Sequence, residues 1–154
     1  MLKDSLTEGL IELDAAASTP EEAIENVGRL LLSQGKISKG YIDSMIETLH
    51  NYGPYMVIAP GIAIPHGQPG ELVKEDCIAF CRLKNPVEFG NKNNDPVRYL
   101  FAIGSNKNNG HLDILKELST FLMNENNIDR LGKIKTKSEF MKLIEKEGTI
   151  IERS

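Results

Sequence analysis

The order in which two kinds of apolar periodicity follow one another constrains the fold of this chain most. Two amphipathic helical patterns come first, four short apolar runs follow, and two further helical patterns close the chain. Turns or loops join the runs, and helical patterns flank them on both sides. This arrangement predicts an α/β protein, a three-layer α/β/α sandwich with a mixed parallel and antiparallel central sheet.

The first two helices carry their own boundary signals. In "STPEEAIENVGRLLLSQG", Thr19 occupies the N-cap position and Pro20 the first helical position. Glu22 completes a capping box, and Gly35 ends the helix. The following segment, "ISKGYIDSMIETLHNYG", repeats the helical spacing and ends at Gly53. We therefore expect two consecutive helices before the first predicted strand.

Four strands are predicted next. The segments "YMVIA" and "GIAIP" flank a turn at Pro60 and Gly61, and "DCIAFCRL" is the third strand. The fourth, "PVRYLFAIG", is dense in apolar residues, which is typical of a central strand. Helices over 111–125 and after Thr136, where Glu139 forms a second capping box, complete the pattern.

Length and charge bound the class of protein. A chain of 154 residues that is 40% apolar is sized for a single domain over 1–154. Its 18 Lys and Arg and 22 Asp and Glu form no long run of either sign, which argues against nucleic acid or an anionic membrane as a partner. No signal-peptide core and no apolar stretch of ~18 residues occurs, so we expect a soluble, cytoplasmic protein with no membrane-inserted segment.

The two cysteines, Cys77 and Cys81, lie in the third predicted strand. Four steps of about 3.3 Å place their α-carbons roughly 13 Å apart, beyond the ~7 Å limit for a disulfide. No second ligand pair accompanies them, so small apolar residues in a buried strand are a better explanation than metal or redox chemistry.

His66, in "IAPGIAIPHG", ends an apolar run between Pro65 and Gly67. A proline and a glycine at the end of a strand let backbone amides approach a bound group closely. A histidine with one ring nitrogen held and the other free can act as a nucleophile, for example as a phosphoryl acceptor. A loop histidine without a catalytic role is the alternative that the local residues leave open.

Longer segments resemble one known family. The run "NYGPYMVIAPGIAIPHG" resembles the active-site segment of enzyme IIA proteins of the sugar phosphotransferase system, in the mannitol/fructose superfamily and closest to the ascorbate type. "NNDPVRYLFAIG" and "GHLDILKELSTFL" resemble that family's central strand and second-histidine helix, and "NIDRLGKIKTKSEFMKLI" resembles its C-terminal end. The resemblance covers nearly the whole chain and implies the same three-layer fold.

The resemblance implies a function and two site residues. His66 is expected to accept a phosphoryl group from the phosphocarrier protein HPr and to pass it to a cysteine of an enzyme IIB, with a membrane enzyme IIC involved indirectly. His111 matches the family's second active-site histidine, which supports the incoming phosphoryl group. Phosphoryl transfer mainly needs positioning and hydrogen-bond donors, so no metal or other cofactor is expected.

The substrate and the physiological role stay open. Gln68 stands where the ascorbate-type pattern commonly has an arginine, which is a departure from that pattern. The segments "GPY" and "NDPV" resemble the ascorbate branch, so ascorbate or a related sugar or sugar acid is the first candidate. Members of this superfamily also act as regulators whose phosphorylation state other proteins sense, without sugar transport. The sequence does not separate these two roles.

Four further polar residues are candidates for the site. His50 is expected to face solvent or cap its helix, in preference to binding a metal. Asp95, before Pro96, either orients a histidine or starts a turn. Arg82 and Arg98 lie on strands, where a solvated face is a better explanation for each than contact with a phosphoryl group.

Overall fold

The computed structural model describes residues 2–107 and 112–153, with side chains up to Lys146. Its strands and helices follow in chain order: α1 (Leu2–Ser5), β1 (Ile11–Ala15), α2 (Pro20–Ser33), α3 (Gly40–Tyr52), β2 (Val57–Ala59), β3 (Ile62–Ala63), β4 (Cys77–Val87), β5 (Val97–Gly104), α4 (Leu112–Met123), α5 (Glu125–Lys133) and α6 (Lys137–Arg153). Short 3-10 turns at Glu8–Leu10 and Pro54–Met56 precede β1 and β2.

The strands form one mixed sheet in the order β1-β4-β5-β3-β2. β1 runs parallel to β4, and β3 runs parallel to β5, whereas the β4–β5 and β2–β3 pairs are antiparallel. β5 is the middle strand, as its apolar density predicts, and seven of its eight residues are buried. Its residues Tyr99, Leu100 and Ile103 bond to or pair with the chain that leads to His66, so the site is built on the buried middle strand of the sheet.

The two faces of the sheet carry side chains of different size. Phe80 and Phe101 lie opposite each other on one face, where Phe80 stacks on Phe140 of α6 with 4.5 Å between ring centroids. On the other face, Cys77 lies opposite Gly104. A β-carbon on Gly104 would lie 3.2 Å from Tyr41 Cε2 of α3. Helices therefore cover both faces, and α3 approaches the small-residue face closely.

The predicted helix signals are confirmed. The backbone N–H of Glu22 donates to Thr19 Oγ1 at 3.1 Å, and the N–H of Glu139 donates to Thr136 Oγ1 at the same distance. Gly35 and Gly53 follow α2 and α3 with φ of 71° and 70°. These local hydrogen bonds and left-handed glycines explain why the helix boundaries could be located from the sequence.

Several elements differ from the prediction. β1 was not predicted, although its five residues, IELDA, alternate between apolar and polar as in a strand. Asp14 within it has φ of 59°. The helix expected over 111–125 ends at Met123, since the side chain of Asn124 accepts from the N–H of Asn126 and caps a separate α5. In the described residues, no helix combines the length and apolar content needed to cross a bilayer.

Candidate functional site

His66 is an exposed residue that follows β3, and its ring is held by the backbone of its own segment. Nδ1 lies 2.9 Å from the carbonyl oxygen of Ile64. A carbonyl oxygen only accepts hydrogen bonds, so in the neutral ring Nδ1 carries the proton and the lone pair is on Nε2. Within residues 2–107 and 112–146, no hydrogen bond to Nε2 occurs. The local geometry thus presents the nitrogen that a nucleophilic histidine uses.

Strand pairing fixes the backbone on the N-terminal side of His66. The N–H of Ile64 donates to the carbonyl oxygen of Met56 at 2.8 Å, and the N–H of Ile103 on β5 donates to that of Pro65 at 3.0 Å. The chain that enters the site is therefore bonded on both sides. His66 stands at the first position where this pairing stops.

Helix α3 fixes the backbone on the C-terminal side. The N–H of Gly67 donates to Tyr41 Oη at 2.9 Å, and the Tyr41 hydroxyl donates to the carbonyl oxygen of Ile103 at 2.6 Å. The N–H of Gln68 donates to Ser44 Oγ at 3.1 Å. Burial raises the pKa of Tyr41 to about 12, so this phenol stays protonated near neutral pH.

These contacts correct one expectation about Gly67. The sequence suggested that its amide approaches a bound group, whereas the amides of Gly67 and Gln68 both point at α3. A β-carbon on Gly67 would lie 2.5 Å from Ser44 Oγ and 2.9 Å from Ser44 Cβ. The glycine is needed because a helix packs directly on this backbone, which a reading of the local sequence could not reveal.

His66 lines a shallow apolar depression of about 120 Å³. The other residues that line it are Tyr55, Met56, Ile58, Ile64, Ile103 and Leu115. Tyr55 is 84% exposed and Ile58 49% exposed, so the rim projects apolar surface into solvent. Leu115 lies in the first turn of α4, which brings the start of that helix next to the histidine. A surface of this shape can receive a group carried on another protein.

His111, the second predicted site residue, lies outside the described residues. In the sequence it immediately precedes Leu112, the first residue of α4. Its predicted role therefore stays a prediction.

His50 is far less constrained. Its side chain is 57% exposed, and Nε2 lies 3.1 Å from Glu21 Oε1 on α2. The expectation that it faces solvent is confirmed. Among the side chains that the structure describes, no group of three His, Cys, Asp or Glu residues is arranged to hold a metal ion.

The expectation for Arg82 is wrong. Arg82 is only 4% exposed. Its guanidinium donates to the carbonyl oxygens of Leu131 and Ile134 and to Asp14 Oδ1. The guanidinium thus satisfies carbonyls at the C-terminal end of α5 and ties α5 to β1 and β4. Sequence reasoning missed this because α5 itself was not predicted.

Asp95 and Arg98 have structural contacts. The carboxylate of Asp95 accepts from the backbone N–H groups of residues 89, 90 and 91, which closes the loop before β5. Of the two alternatives for Asp95, the structure supports the turn. Arg98 is partly exposed, and its guanidinium carbon lies 5.7 Å from the centroid of the Tyr99 ring.

Cys77 and Cys81 are both free and buried, which confirms the predicted unpaired thiols. Burial raises the pKa of each thiol to about 12, so neither is an available thiolate near neutral pH.

A larger concavity of about 350 Å³ lies between α5 and α6. It is lined by Arg130, Lys133, Ile134, Glu139, Lys142, Leu143 and Lys146. This lining has no histidine or cysteine to act as a nucleophile. We therefore assign the site to the smaller depression that contains His66, where an oriented ring nitrogen is present.

Comparisons with known proteins identify the family of this chain and agree with its fold. The family described as "Phosphoenolpyruvate-dependent sugar phosphotransferase system, EIIA 2" matches residues 4–147. The ascorbate-specific PTS system EIIA component of Shigella boydii is 35% identical over 147 residues, which cover 94% of this chain and 96% of that protein.

Solved structures were compared as well. The mannitol-specific cryptic phosphotransferase enzyme IIA CmtB from Escherichia coli aligns with a TM-score of 0.83 and 27% identity, over 93% of this chain and 97% of that one. Enzyme IIAMTL from Escherichia coli, in a complex with phosphorylated enzyme IIBMTL, aligns with a TM-score of 0.81 and 28% identity, over 90% of this chain and 96% of that one. The three-layer fold with a mixed sheet is confirmed.

Proposed function

Because this chain belongs to the EIIA 2 family of the phosphoenolpyruvate-dependent sugar phosphotransferase system, and so is a phosphocarrier of that system, we propose that His66 carries its phosphoryl group. One observation supports this choice of residue above all others. The hydrogen bond from Nδ1 to the Ile64 carbonyl leaves the Nε2 lone pair for reaction, on a ring that lines an apolar depression.

The proposed reaction has two steps. In the first, His66 Nε2 attacks the phosphorus of a phosphohistidine on HPr, the new N–P bond forms, and the bond to the HPr histidine breaks with its electron pair returning to that ring. In the second, a cysteine thiolate of enzyme IIB attacks the same phosphorus, and the electron pair of the N–P bond returns to Nε2. The proton on Nδ1 stays in its hydrogen bond with Ile64 throughout.

We assign His111 the role of stabilising the phosphoryl group, on the strength of the family resemblance and its position directly before α4. A ring N–H and the free amides of a helix N-terminus are suitable donors for the phosphoryl oxygens. His111→Ala is then expected to accept phosphate from phospho-HPr and to pass it on slowly, since removing one such donor costs ~10²-fold in rate. Rapid-quench measurement of each half-reaction separates acceptance from transfer.

The partners follow from the shape of the depression. A shallow apolar site suits two protein donors and acceptors that visit in turn, because a deep pocket would exclude a phosphohistidine on a protein surface. HPr is the proposed donor and an enzyme IIB the proposed acceptor, with enzyme IIC acting beyond it. The structure of enzyme IIAMTL with phosphorylated enzyme IIBMTL provides a precedent for the second partner in a similar protein.

For the substrate, we propose ascorbate or a related sugar or sugar acid. The relative from Shigella boydii that is 35% identical is named ascorbate-specific. Gln68 takes the place of an arginine in the ascorbate-type pattern, and its side chain is exposed beside His66. We further propose that residues 1–154 form a single enzyme IIA domain.

The test is a reconstituted relay. The protein is incubated with labelled phosphoenolpyruvate, enzyme I and HPr, and then with enzyme IIB proteins of the ascorbate, mannitol and fructose types. We expect labelling of His66 and onward transfer chiefly to the ascorbate-type enzyme IIB. Labelling without transfer to any of them would support the regulatory alternative in place of transport, and no labelling would overturn the proposal.

A further inference from the structure

We propose that Tyr41 is a positioning residue for phosphoryl transfer at His66, acting through the backbone of Gly67. This inference rests on the proposed role of His66 as the phosphoryl carrier. Tyr41 does not contact the reacting nitrogen. Its hydroxyl accepts from the N–H of Gly67, the residue after the histidine, and donates to the carbonyl oxygen of Ile103 on the central strand.

The ring of His66 needs such an anchor, because its own hydrogen bond is local. Nδ1 bonds to Ile64, two residues earlier in the same segment. That bond sets the ring relative to its own chain, but it does not set the chain relative to the rest of the depression. The direction of Nε2 therefore depends on what holds the backbone before and after the histidine.

A single residue of the central strand supplies both anchors. The N–H of Ile103 donates directly to the carbonyl oxygen of Pro65, and the carbonyl oxygen of Ile103 receives the hydroxyl proton of Tyr41. Gly67 is thus linked to Ile103 through the Tyr41 hydroxyl, whereas Pro65 is bonded to Ile103 directly. Ile103 also lines the depression, so these bonds tie the nucleophile to the wall of its own site.

Two glycines give the phenol a fixed place. A β-carbon on Gly67 would lie 3.1 Å from Tyr41 Cε1, and one on Gly104 would lie 3.2 Å from Tyr41 Cε2. The ring passes between these two backbones and is 1% exposed. Its oxygen is therefore placed by packing, and it bonds to the chain on each side of the ring.

Tyr41→Phe keeps this packing and removes the hydroxyl alone. Gly67 then loses its acceptor, and the backbone after His66 is free to shift. Since a displacement of about 1 Å at a reacting group can cost ~10²-fold in rate, we expect kcat for transfer from phospho-HPr to fall by about tenfold or more. KM should stay within about twofold, because the apolar rim that meets HPr is unchanged.

Tyr99→Phe is the matched control. Tyr99 is also a buried tyrosine, 8% exposed, and it lies on the opposite face of the sheet beside Phe80 and Gly132. Both variants are compared by rapid-quench kinetics of labelling and by thermal unfolding. A second readout is the ¹⁵N NMR signals of the His66 ring, whose chemical shifts and line widths report the surroundings and mobility of the ring. For Tyr41→Phe we expect shifted or broadened signals, and for Tyr99→Phe those of the wild type.

Wild-type kinetics and unchanged His66 signals in Tyr41→Phe, even with a lower unfolding temperature, would make Tyr41 a structural residue and overturn the proposal. Should this variant fail to fold, amide exchange in the wild type decides: the N–H of Gly67 is expected to be protected, and rapid exchange would also overturn the proposal. These NMR readouts need no phosphoryl donor. If the wild type is never labelled by phospho-HPr, the proposed function fails, and the His66 ring signals and the exchange data still show whether Tyr41 positions His66.

Discussion

His66 and His50 are both exposed histidines, but they use opposite ring nitrogens for their hydrogen bonds. In His66, Nδ1 donates to a backbone carbonyl of the same segment, and none of the residues that the structure describes forms a hydrogen bond with Nε2. In His50, Nε2 itself is taken by the carboxylate of Glu21. The surroundings differ as well, since His66 lines an apolar depression and His50 lies on the outer side of two helices.

The difference shows what makes a histidine suited to carry a phosphoryl group. Exposure alone does not distinguish the two residues. A neutral backbone acceptor on Nδ1 fixes the tautomer without consuming the reactive nitrogen, and a backbone bonded to β5 and α3 holds the ring in place. A surface ion pair supplies neither feature, because its partners are mobile side chains.

The largest effect is expected from removing each histidine in turn. His66→Ala should abolish phosphate uptake from phospho-HPr, because the attacking atom is gone. His50→Ala should be labelled at the wild-type rate. The measurement is acid-labile ³²P incorporation, with circular dichroism to verify folding. Full labelling of His66→Ala, or loss of labelling in His50→Ala, would reverse the comparison.

A smaller effect is expected from disturbing the contact between the nucleophile's backbone and α3. In Gly67→Ala the new methyl group meets Ser44 Oγ at 2.5 Å and Ser44 Cβ at 2.9 Å, so the chain after His66 must move. A displacement of about 1 Å predicts a ~10²-fold lower transfer rate. The measurement is the single-turnover rate of labelling by phospho-HPr.

The matched test is the pair of changes Gly67→Ala and Ser44→Gly together. Removing the Ser44 side chain opens the space that the methyl group needs but also removes the acceptor of the Gln68 N–H, so only part of the lost rate should return. Ser44→Gly alone serves as the control, and it should cost ~1 kcal/mol of stability as a glycine within a helix. No recovery in the double variant would show that the clash with α3 is not what disables Gly67→Ala.

The fold was predictable where the signals are local. The capped starts of α2 and α6 and the glycine ends of α2 and α3 involve residues within a few positions of each other, and they appear in the structure as expected. The family resemblance is confirmed as well. β1 was missed although its five residues alternate between apolar and polar, because so short a run does not by itself identify a strand and its place at the sheet edge depends on parallel pairing with β4, from Ile11 to Phe80.

The residues of the site likewise include some that local sequence signals identify and others that they do not. His66 could be singled out because Pro65 and Gly67 mark it, whereas Tyr41 and Ser44 meet their partners 26 and 24 residues away. The only local hint is that these two hydroxyl side chains are three residues apart on one side of α3. Arg82 was misjudged for the same physical reason, since its carbonyl partners are 49 and 52 residues distant.

A further prediction concerns the apolar rim of the depression, which distinguishes the surroundings of His66 from those of His50. We expect HPr to bind this rim with a micromolar dissociation constant and with salt sensitivity, as is typical of small transient interfaces. Tyr55→Ser should raise that constant about tenfold, since exposed aromatic residues at interfaces are often worth more than ~1 kcal/mol. Binding is measured by NMR titration of the labelled protein at two salt concentrations.

Met123→Ser is the control for this change. Met123 is 83% exposed, close to the 84% of Tyr55, and lies eight residues beyond Leu115 on α4, about 12 Å along the helix. It should leave binding unchanged. Chemical shifts confined to α6, or equal effects of the two substitutions, would show that HPr does not dock at the depression.

The smallest effect is expected at the His50 pair. The backbone N–H of Glu21 and the side chain of His50 lower the pKa of the Glu21 carboxyl below its usual value, so the ionised form is favoured in the folded state. This stabilisation is present above the unfolded-state pKa of about 4.3 and is lost as pH falls through the lower folded-state value. Glu21→Gln should therefore reduce the free energy of unfolding at pH 7 by no more than about 0.5 kcal/mol, because the pair is exposed. Urea unfolding of both proteins at pH 7 and near pH 3 measures the difference, which should vanish at the lower pH. Transfer from phospho-HPr should be unaffected, and a slower rate in Glu21→Gln would mean that the two histidines are coupled after all.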